Sequence, residues 1–451
     1  MDDSASTAVA PAVASDWGAP APVQPQDRIA TIDVVRGLAV LGILVMNVVE
    51  FGQPLRFYDN PAAGGGAPDA DLWTWFVQSA LFDGRMRALF SMLFGAGLVL
   101  ITERMQRSGR GADAVDVWLR RCLWLVLFGV LHRFALQFTG DILYQYGLLG
   151  LIAVAFRKLR PRSLLLAGAL CLAAFTPIEL WHHHQASTQR NQAAQAKQLA
   201  DSQQPVPQPL QEARTRWERR IAPPKPDSSA PEIDAMRSGY STVFAYRWDY
   251  HHMFQSSYLY SYFVWDVLGM VFVGMALARL GFFQGQCRPR VYLALLALAV
   301  PLALASFLWA NAFAGAQFSP AELELKLVHG IAYPFVRGLA GLGWAAGSIL
   351  LVQRGWMRWL TTALGRVGRM AFSNYLLQTL CCTWFFFGYG LGYYGRLSRA
   401  ELMLVWLGVS LVQVLASWLW LSRFRLGPVE WLWRSLTYQR WQPLRGPGQP
   451  A

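Results

Sequence analysis

His132 and Asp141 stand nine residues apart in HRFALQFTGDIL, and a histidine beside a carboxylate is the simplest device for drawing a proton from a hydroxyl or an amine. The plainer alternative is a histidine satisfied at a helix end. A second group opens an apolar run: Asp33 and Arg36, then Asn47. At 100° per residue Arg36 and Asn47 return to within about 20° of each other and Asp33 lies about 60° from Arg36, so one helix face is polar from end to end. These residues suit the anionic part of a ligand, or else form an interfacial ion pair with Arg28 setting the orientation. Arg85 and Arg87 in FDGRMR offer guanidinium forks for a phosphate or carboxylate; the alternative is snorkelling to lipid phosphates. Asn374 and Gln378, four residues apart beside Ser373, share a helix face, for substrate contact or for hydrogen bonding between helices.

The elements that must hold these residues are set by composition. The 451 residues are 54% hydrophobic and 15% charged, with 20 Trp, and the mean hydropathy is +0.26, so the chain needs lipid as its solvent. A bilayer core takes about 20 apolar helical residues. Runs of that order fall near 32–52, 86–103, 117–137, 140–157, 162–181, 257–279, 291–313, 328–352, 370–391 and 402–421. The expected fold class is therefore all-α, a polytopic transmembrane helical bundle of about ten spans. Every second connection is basic: Arg104, Arg107, Arg110, Arg120 and Arg121 follow the second run, and Arg354, Arg358, Arg366 and Arg369 the eighth. Basic connections stay in the cytoplasm, which puts both termini there and the long 182–256 segment on the other side. The lipid bilayer is thus the first partner. The net charge of +13 is dispersed between apolar runs and forms no stripe, so nucleic acid is not one.

The chain divides into an Ala/Pro-rich tail (1–27), expected to be disordered and cytoplasmic, a membrane half of five spans (28–181), the outer segment (182–256), a second half of five spans (257–421) and a cytoplasmic tail (422–451). In 182–256 a Gln/Ala-rich stretch reads as a surface helix or as disorder, and an aromatic stretch follows. In the tail, Glu430 and Arg434 sit four apart beside Trp431 and Trp433, as in an amphipathic interfacial helix. All seven His map to the outer side, where a proton acceptor could be assembled, but their spacing matches no closed zinc site and no metal is expected. The five Cys read as free thiols. VRGLAVLG at Val35–Gly42 returns as VRGLAGLG at Val336–Gly343, which is either a chance match of apolar residues or the inverted repeat of a transporter.

RIATIDVVRGLAVLGILVMNV, GRMRALFSMLFGAGL, the LFGVLHRF and GDILYQYGLLGL hairpin, GRMAFSNYLLQTLCCTWFFFGYGLGYYGRLSR and FRLGPVEWLWRSLTY together resemble the YeiB-like membrane family, domain of unknown function 418. The resemblance runs from Arg28 to Tyr438, leaving 182–256 uncovered. More distantly the chain is similar to multi-helix membrane acyltransferases of the heparan-glucosaminide acetyltransferase type, which share the Asp-x-x-Arg-Gly opening, here Asp33, Arg36 and Gly37. That similarity implies an acyl group taken from cytoplasmic acyl-CoA and delivered to an extracytoplasmic glycan or lipid acceptor. Asp33, Arg36, Asn47, Arg85, Arg87, Asn374 and Gln378 would then bind substrate or donor, and His132 with Asp141 would activate the acceptor. The chain departs from these enzymes in having no His between 53 and 84, and in carrying Asn47 where the O-antigen type ends its first span with His. A transporter or lipid flippase using the same polar residues, and a non-catalytic component that binds a partner through 182–256, are the competing expectations.

Overall fold

The computed structural model describes residues 29–222 and 226–445; Arg28 and the tail expected over 1–27 lie outside this range. All regular elements of the described residues are helical. In chain order the α-helices are α1 Ala30–Gly52, α2 Asp69–Leu81, α3 Arg85–Arg107, α4 Asp113–Phe134, α5 Leu143–Ala153, α6 Pro161–Ala173, α7 Phe175–Asp201, α8 Gln208–Ile221 and α9 Ala230–Met236. They continue as α10 Tyr240–Gln255, α11 Val264–Arg279, α12 Pro289–Gly315, α13 Leu323–Arg354, α14 Arg358–Arg369, α15 Ala371–Phe386, α16 Arg399–Arg423 and α17 Pro428–Tyr438.

Among the described residues, seven helical stretches are long and apolar enough to cross a membrane: Ala30–Gly52, Asp69–Arg107, Pro161–Asp201, Tyr240–Arg279, Pro289–Gly315, Leu323–Arg354 and Arg399–Arg423. The three other expected spans coincide with α4, which carries charges near both ends, with α5, and with the sixteen-residue α15. Outside its polar positions, among them Asp33, Arg36, Asn47 and Glu50, helix α1 is apolar, and it stands at the centre, touching α3, α13, α14, α15 and α16. At the periphery, Leu296, Val300, Leu304 and Leu308 of α12 and Leu404, Leu411, Leu415 and Leu419 of α16 face outward and uncovered. Apolar ridges of this extent are stable only against lipid. The protein is a helical membrane protein.

The segment 182–256 begins as a helix, the first of the two forms expected for its Gln/Ala-rich stretch. Its Gln/Ala-rich start, open to disorder on sequence grounds, continues α6 through α7 to Asp201 and is packed by α8, with Ala186, Ala193, Trp217 and Leu323 forming a small core. Ala and Gln are good helix formers, and a partner helix that buries the Ala face supplies what low complexity withholds.

The glycine of the Asp-x-x-Arg-Gly opening is explained by packing. Gly37 of α1 lies against the Leu364 carbonyl of α14, and Gly368 lies against the Asp33 carbonyl, so a β-carbon on either would occupy the other helix's backbone. Gly368→Ala is expected to cost about 1–3 kcal/mol of overpacking, read as a lower melting temperature in detergent. Gly365→Ala is the control, since its β-carbon meets nothing nearer than a Val34 methyl at 3.7 Å. The two VRGLA segments are not packed alike: Gly37 abuts backbone, Gly338 abuts the Met270 side chain, and Arg36 is half-buried where Arg337 is fully buried.

Candidate functional site

A cavity of about 610 Å³ opens between α1, α3, α4, α5, α14, α15 and α17, within the roughly 300–1,000 Å³ usual for small-molecule sites. Helix α3 lines it from Phe90 to Arg107, a length of about 26 Å at 1.5 Å per residue. One end is basic, with Arg36, Arg104, Arg107, Arg110, Arg121 and Arg434 around it. The throat is apolar and aromatic, with Leu93, Phe94, Leu125 and Phe372, and the far end is formed by Ile142, Tyr146 and Tyr375. This polarity suits an amphiphile with an anionic head and a long, thin, uncharged arm.

The mouth is built by tertiary contacts. Arg36 pairs with Asp33 at 3.2 Å, one turn apart on α1, and both line the opening. Helix α17 closes one wall. Its Glu430 is buried and accepts the Phe372 N–H at 2.7 Å, the Ser373 N–H at 3.1 Å and the Ser373 hydroxyl. The carboxylate thus satisfies the unpaired N–H groups at the start of α15, where the helix dipole favours a negative charge. The carboxylate of this expected amphipathic helix therefore points inward, toward α15. Arg121 lies 3.5 Å over the Trp433 ring, and the Trp433 indole N–H donates to the Arg121 carbonyl at 3.1 Å.

Behind the closed end stand His132 and Asp141. His132 Nδ1 is 2.7 Å from Asp141 Oδ1, and Nε2 is 2.7 Å from Thr379 Oγ1. His132 is only 1% exposed: α15 covers it, and the Tyr375 and Phe138 rings stand 4.9 Å and 5.3 Å away. The second carboxylate oxygen of Asp141 accepts the Tyr144 N–H at 3.1 Å, and Arg133 Nη2 donates to the Asp141 carbonyl at 2.9 Å. Arg133 is itself buried, with Nε and Nη1 lacking partners among the described residues. Gly140 precedes Asp141 because its N–H donates to Glu50 at 3.0 Å and a β-carbon there would strike the Glu50 carboxylate. Tyr375 links the two regions. It lines the cavity, covers His132, and its hydroxyl accepts the Ile142 N–H at 3.3 Å.

The expected grouping of Asp33 and Arg36 with Arg85 and Arg87 around one anion does not form. Arg85 and Arg87 begin α3 while the basic mouth lies at its end, and the seventeen residues from Arg87 to Arg104 amount to about 26 Å. Arg85 is buried and donates to the Ser79 carbonyl and the Ser306 hydroxyl, both at 2.8 Å. Arg87 pairs with Asp266 of α11 at 3.5 Å, Arg337 of α13 pairs directly with the same carboxylate, and the Tyr262 hydroxyl accepts from Arg87 at 3.3 Å and from Arg337 at 3.4 Å. Asn47 is half-buried and outside the cavity lining. Asn374 donates to the Val367 carbonyl and Ser417, and Gln378 to the Val40 carbonyl and Gln413, so both tie α15 to its neighbours. The histidines are dispersed: His251 is buried against Gln137, His329 stacks on Trp309, His183 is half-buried, and His182 and His184 are exposed. Among the described residues no three His, Cys, Asp or Glu are grouped to hold a metal.

Sequence reasoning missed Asp266, Arg337, Thr379 and Tyr375. The first two were detectable as charges inside apolar runs. Thr379 and Tyr375 gave no signal, since Thr and Tyr are ordinary inside a span.

Residues 277–440 match the family described as "Protein of unknown function (DUF418)". Over its length the chain is 30% identical to the uncharacterized protein YxaH of Bacillus subtilis (strain 168), covering 94% of this chain and 97% of that protein. It is 31% identical to the uncharacterized protein YeiB of Escherichia coli (strain K12), covering 91% and 96%. An uncharacterized 39.9 kDa protein in the amylase 3' region of Bacillus acidopullulyticus is 22% identical over 94% and 97%. No solved structure matches the chain.

Proposed function

The chain belongs to the DUF418 family, and from that premise we propose that it is an acyltransferase of the bacterial inner membrane, taking an acyl group from acyl-CoA on the cytoplasmic side and passing it to a hydroxyl or amine of a glycan or lipid on the other. In this reading the chain crosses the bilayer about ten times with both termini in the cytoplasm, as the alternation of basic connections requires. The observation that carries the reading is the cavity, basic at one end, apolar along its length and ending on the wall that covers His132 and Asp141. Guanidinium groups at the mouth hold the donor's phosphates, the uncharged arm threads the throat, and the thioester comes to rest at Tyr375 and Ile142. Asp141 accepts the His132 Nδ1–H, leaving Nε2 as the base. Burial among aromatic rings excludes water, which would otherwise hydrolyse the thioester.

The test is binding of acetyl-CoA and palmitoyl-CoA to the detergent-purified protein. Arg36→Ala and Arg110→Ala are each expected to weaken binding about tenfold or more, as charge-assisted hydrogen bonds worth about 1.5–3 kcal/mol are lost. Arg85→Ala, at the far end of α3, is expected to leave it unchanged. No binding to a folded protein, or equal loss in Arg36→Ala and Arg85→Ala, would overturn the reading.

A second reading, passage of an anionic amphiphile across the bilayer, draws on Tyr146. It lines the closed end of the cavity, and its hydroxyl donates to the Arg87 carbonyl at 3.3 Å, so the Arg87–Asp266–Arg337 cluster begins where the cavity stops. Movement of a labelled acyl-lipid across vesicles containing the protein, without thioester cleavage, would favour it.

A further inference from the structure

We infer that Thr379 is the nucleophile that carries the acyl group, so that transfer runs through a threonyl ester formed by an Asp141–His132–Thr379 relay. This rests on the acyl-CoA reading above and adds a covalent step to it. The geometry is that of an activated nucleophile: a hydroxyl within hydrogen-bond reach of a ring nitrogen, and a carboxylate on the other nitrogen, both at 2.7 Å. Asp141 is held as an acceptor by the Tyr144 N–H on its second oxygen, so Nδ1 carries the proton and Nε2 presents its lone pair to the Thr379 hydroxyl.

Two further observations favour Thr379 over direct attack by the acceptor. Nε2 already faces Thr379, so an incoming acceptor would have to displace that hydroxyl, whereas the hydroxyl itself needs no movement. The hydroxyls of Thr102, Ser306, Ser348 and Thr437 turn back to the carbonyl four residues earlier, as helical Ser and Thr commonly do. That of Thr379 is at His132 instead. Thr379 lies four residues after Tyr375 on α15, and so on the face of the helix that closes the cavity. Thr379 itself is buried outside the cavity lining, so the proposed step requires the Tyr375 ring to rotate before a thioester in the throat can reach it.

The step balances. The Thr379 Oγ1–H proton passes to His132 Nε2 as Oγ1 bonds to the thioester carbonyl carbon. The C–S bond then breaks, and the leaving thiolate takes the proton from Nε2. In the second half the acceptor's O–H or N–H proton goes to Nε2 as its heteroatom attacks the ester carbonyl, and Thr379 Oγ1 leaves with that proton.

The experiment incubates the full-length purified protein with acetyl-CoA labelled in the acetyl group, without acceptor, and follows thiol release, donor binding and the mass of the peptide containing Thr379. The expected result is a stoichiometric burst of thiol and an acetylated Thr379. Thr379→Val should bind donor as the wild type does but lose label and transfer by roughly a thousandfold, and Thr379→Ser should regain both. Thiol release with no label on Thr379, or transfer by Thr379→Val at the wild-type rate, would overturn the nucleophile alone. A wild type that neither binds donor nor releases thiol overturns the acyl-CoA reading and the nucleophile with it.

Discussion

Asp266→Ala is expected to destabilise the protein by about 3–5 kcal/mol, the cost of breaking a buried ion pair from one side. The carboxylate sits in the first turn of α11 and is shared by Arg87 of α3 and Arg337 of α13. Removing it leaves two guanidiniums facing each other across three helices, with the Tyr262 hydroxyl as their shared acceptor. Arg337 is the more exacting of the two, since it is wholly buried while the Arg87 side chain is 22% exposed and can be partly solvated. The measurement is the melting temperature in detergent with the yield of monodisperse protein. Asp266→Ala combined with Arg337→Met should recover much of the loss, because a flexible apolar side chain then replaces an unpaired charge. Asp266→Ala melting with the wild type would mean that the cluster is solvated and contributes nothing to packing.

His132→Ala and Asp141→Asn are expected to lower acyl transfer by about a thousand- to ten-thousandfold while leaving acyl-CoA affinity as in the wild type. The two act differently. The first removes the base. In the second, the introduced amide donates where the carboxylate accepted, so the ring proton moves to Nε2 and the lone pair that faced Thr379 is lost although the shape is kept. The loss should therefore appear in kcat with little change in KM. If Asp141→Asn turned over at the wild-type rate, the pair would be an ordinary buried hydrogen bond holding α4 to α5.

The meeting of His132 and Asp141 could be anticipated, since their spacing of nine residues and the hairpin of α4 and α5 leave them little freedom to separate. The helices were legible for the same local reason: apolar run length and basic connections are properties of short segments. Thr379 was not, because 247 residues separate it from His132 and only the packing of α15 over α4 brings them together. Arg85 and Arg87 were misjudged because residue type shows what a guanidinium can bind, not which end of a cavity it stands at. In this fold they share a helix with Arg104 and Arg107 and lie at its opposite end. The helical continuation of α7 was hidden for a different reason. Its buried Ala positions become meaningful only when α8 supplies Trp217 to cover them.

The wall formed by α17 has a consequence for biosynthesis. Glu430, Trp433, Arg434 and Tyr438 all line the cavity, and every apolar run precedes them in the chain. The ribosome therefore delivers this wall after the last span has been inserted. Until then the nascent protein holds an open slot, apolar within and ringed by guanidiniums, and the N–H groups at the start of α15 have no carboxylate to accept them. A message cut short before the codon for Pro428 would yield a chain that keeps every apolar run but lacks the helix that closes this wall of the cavity.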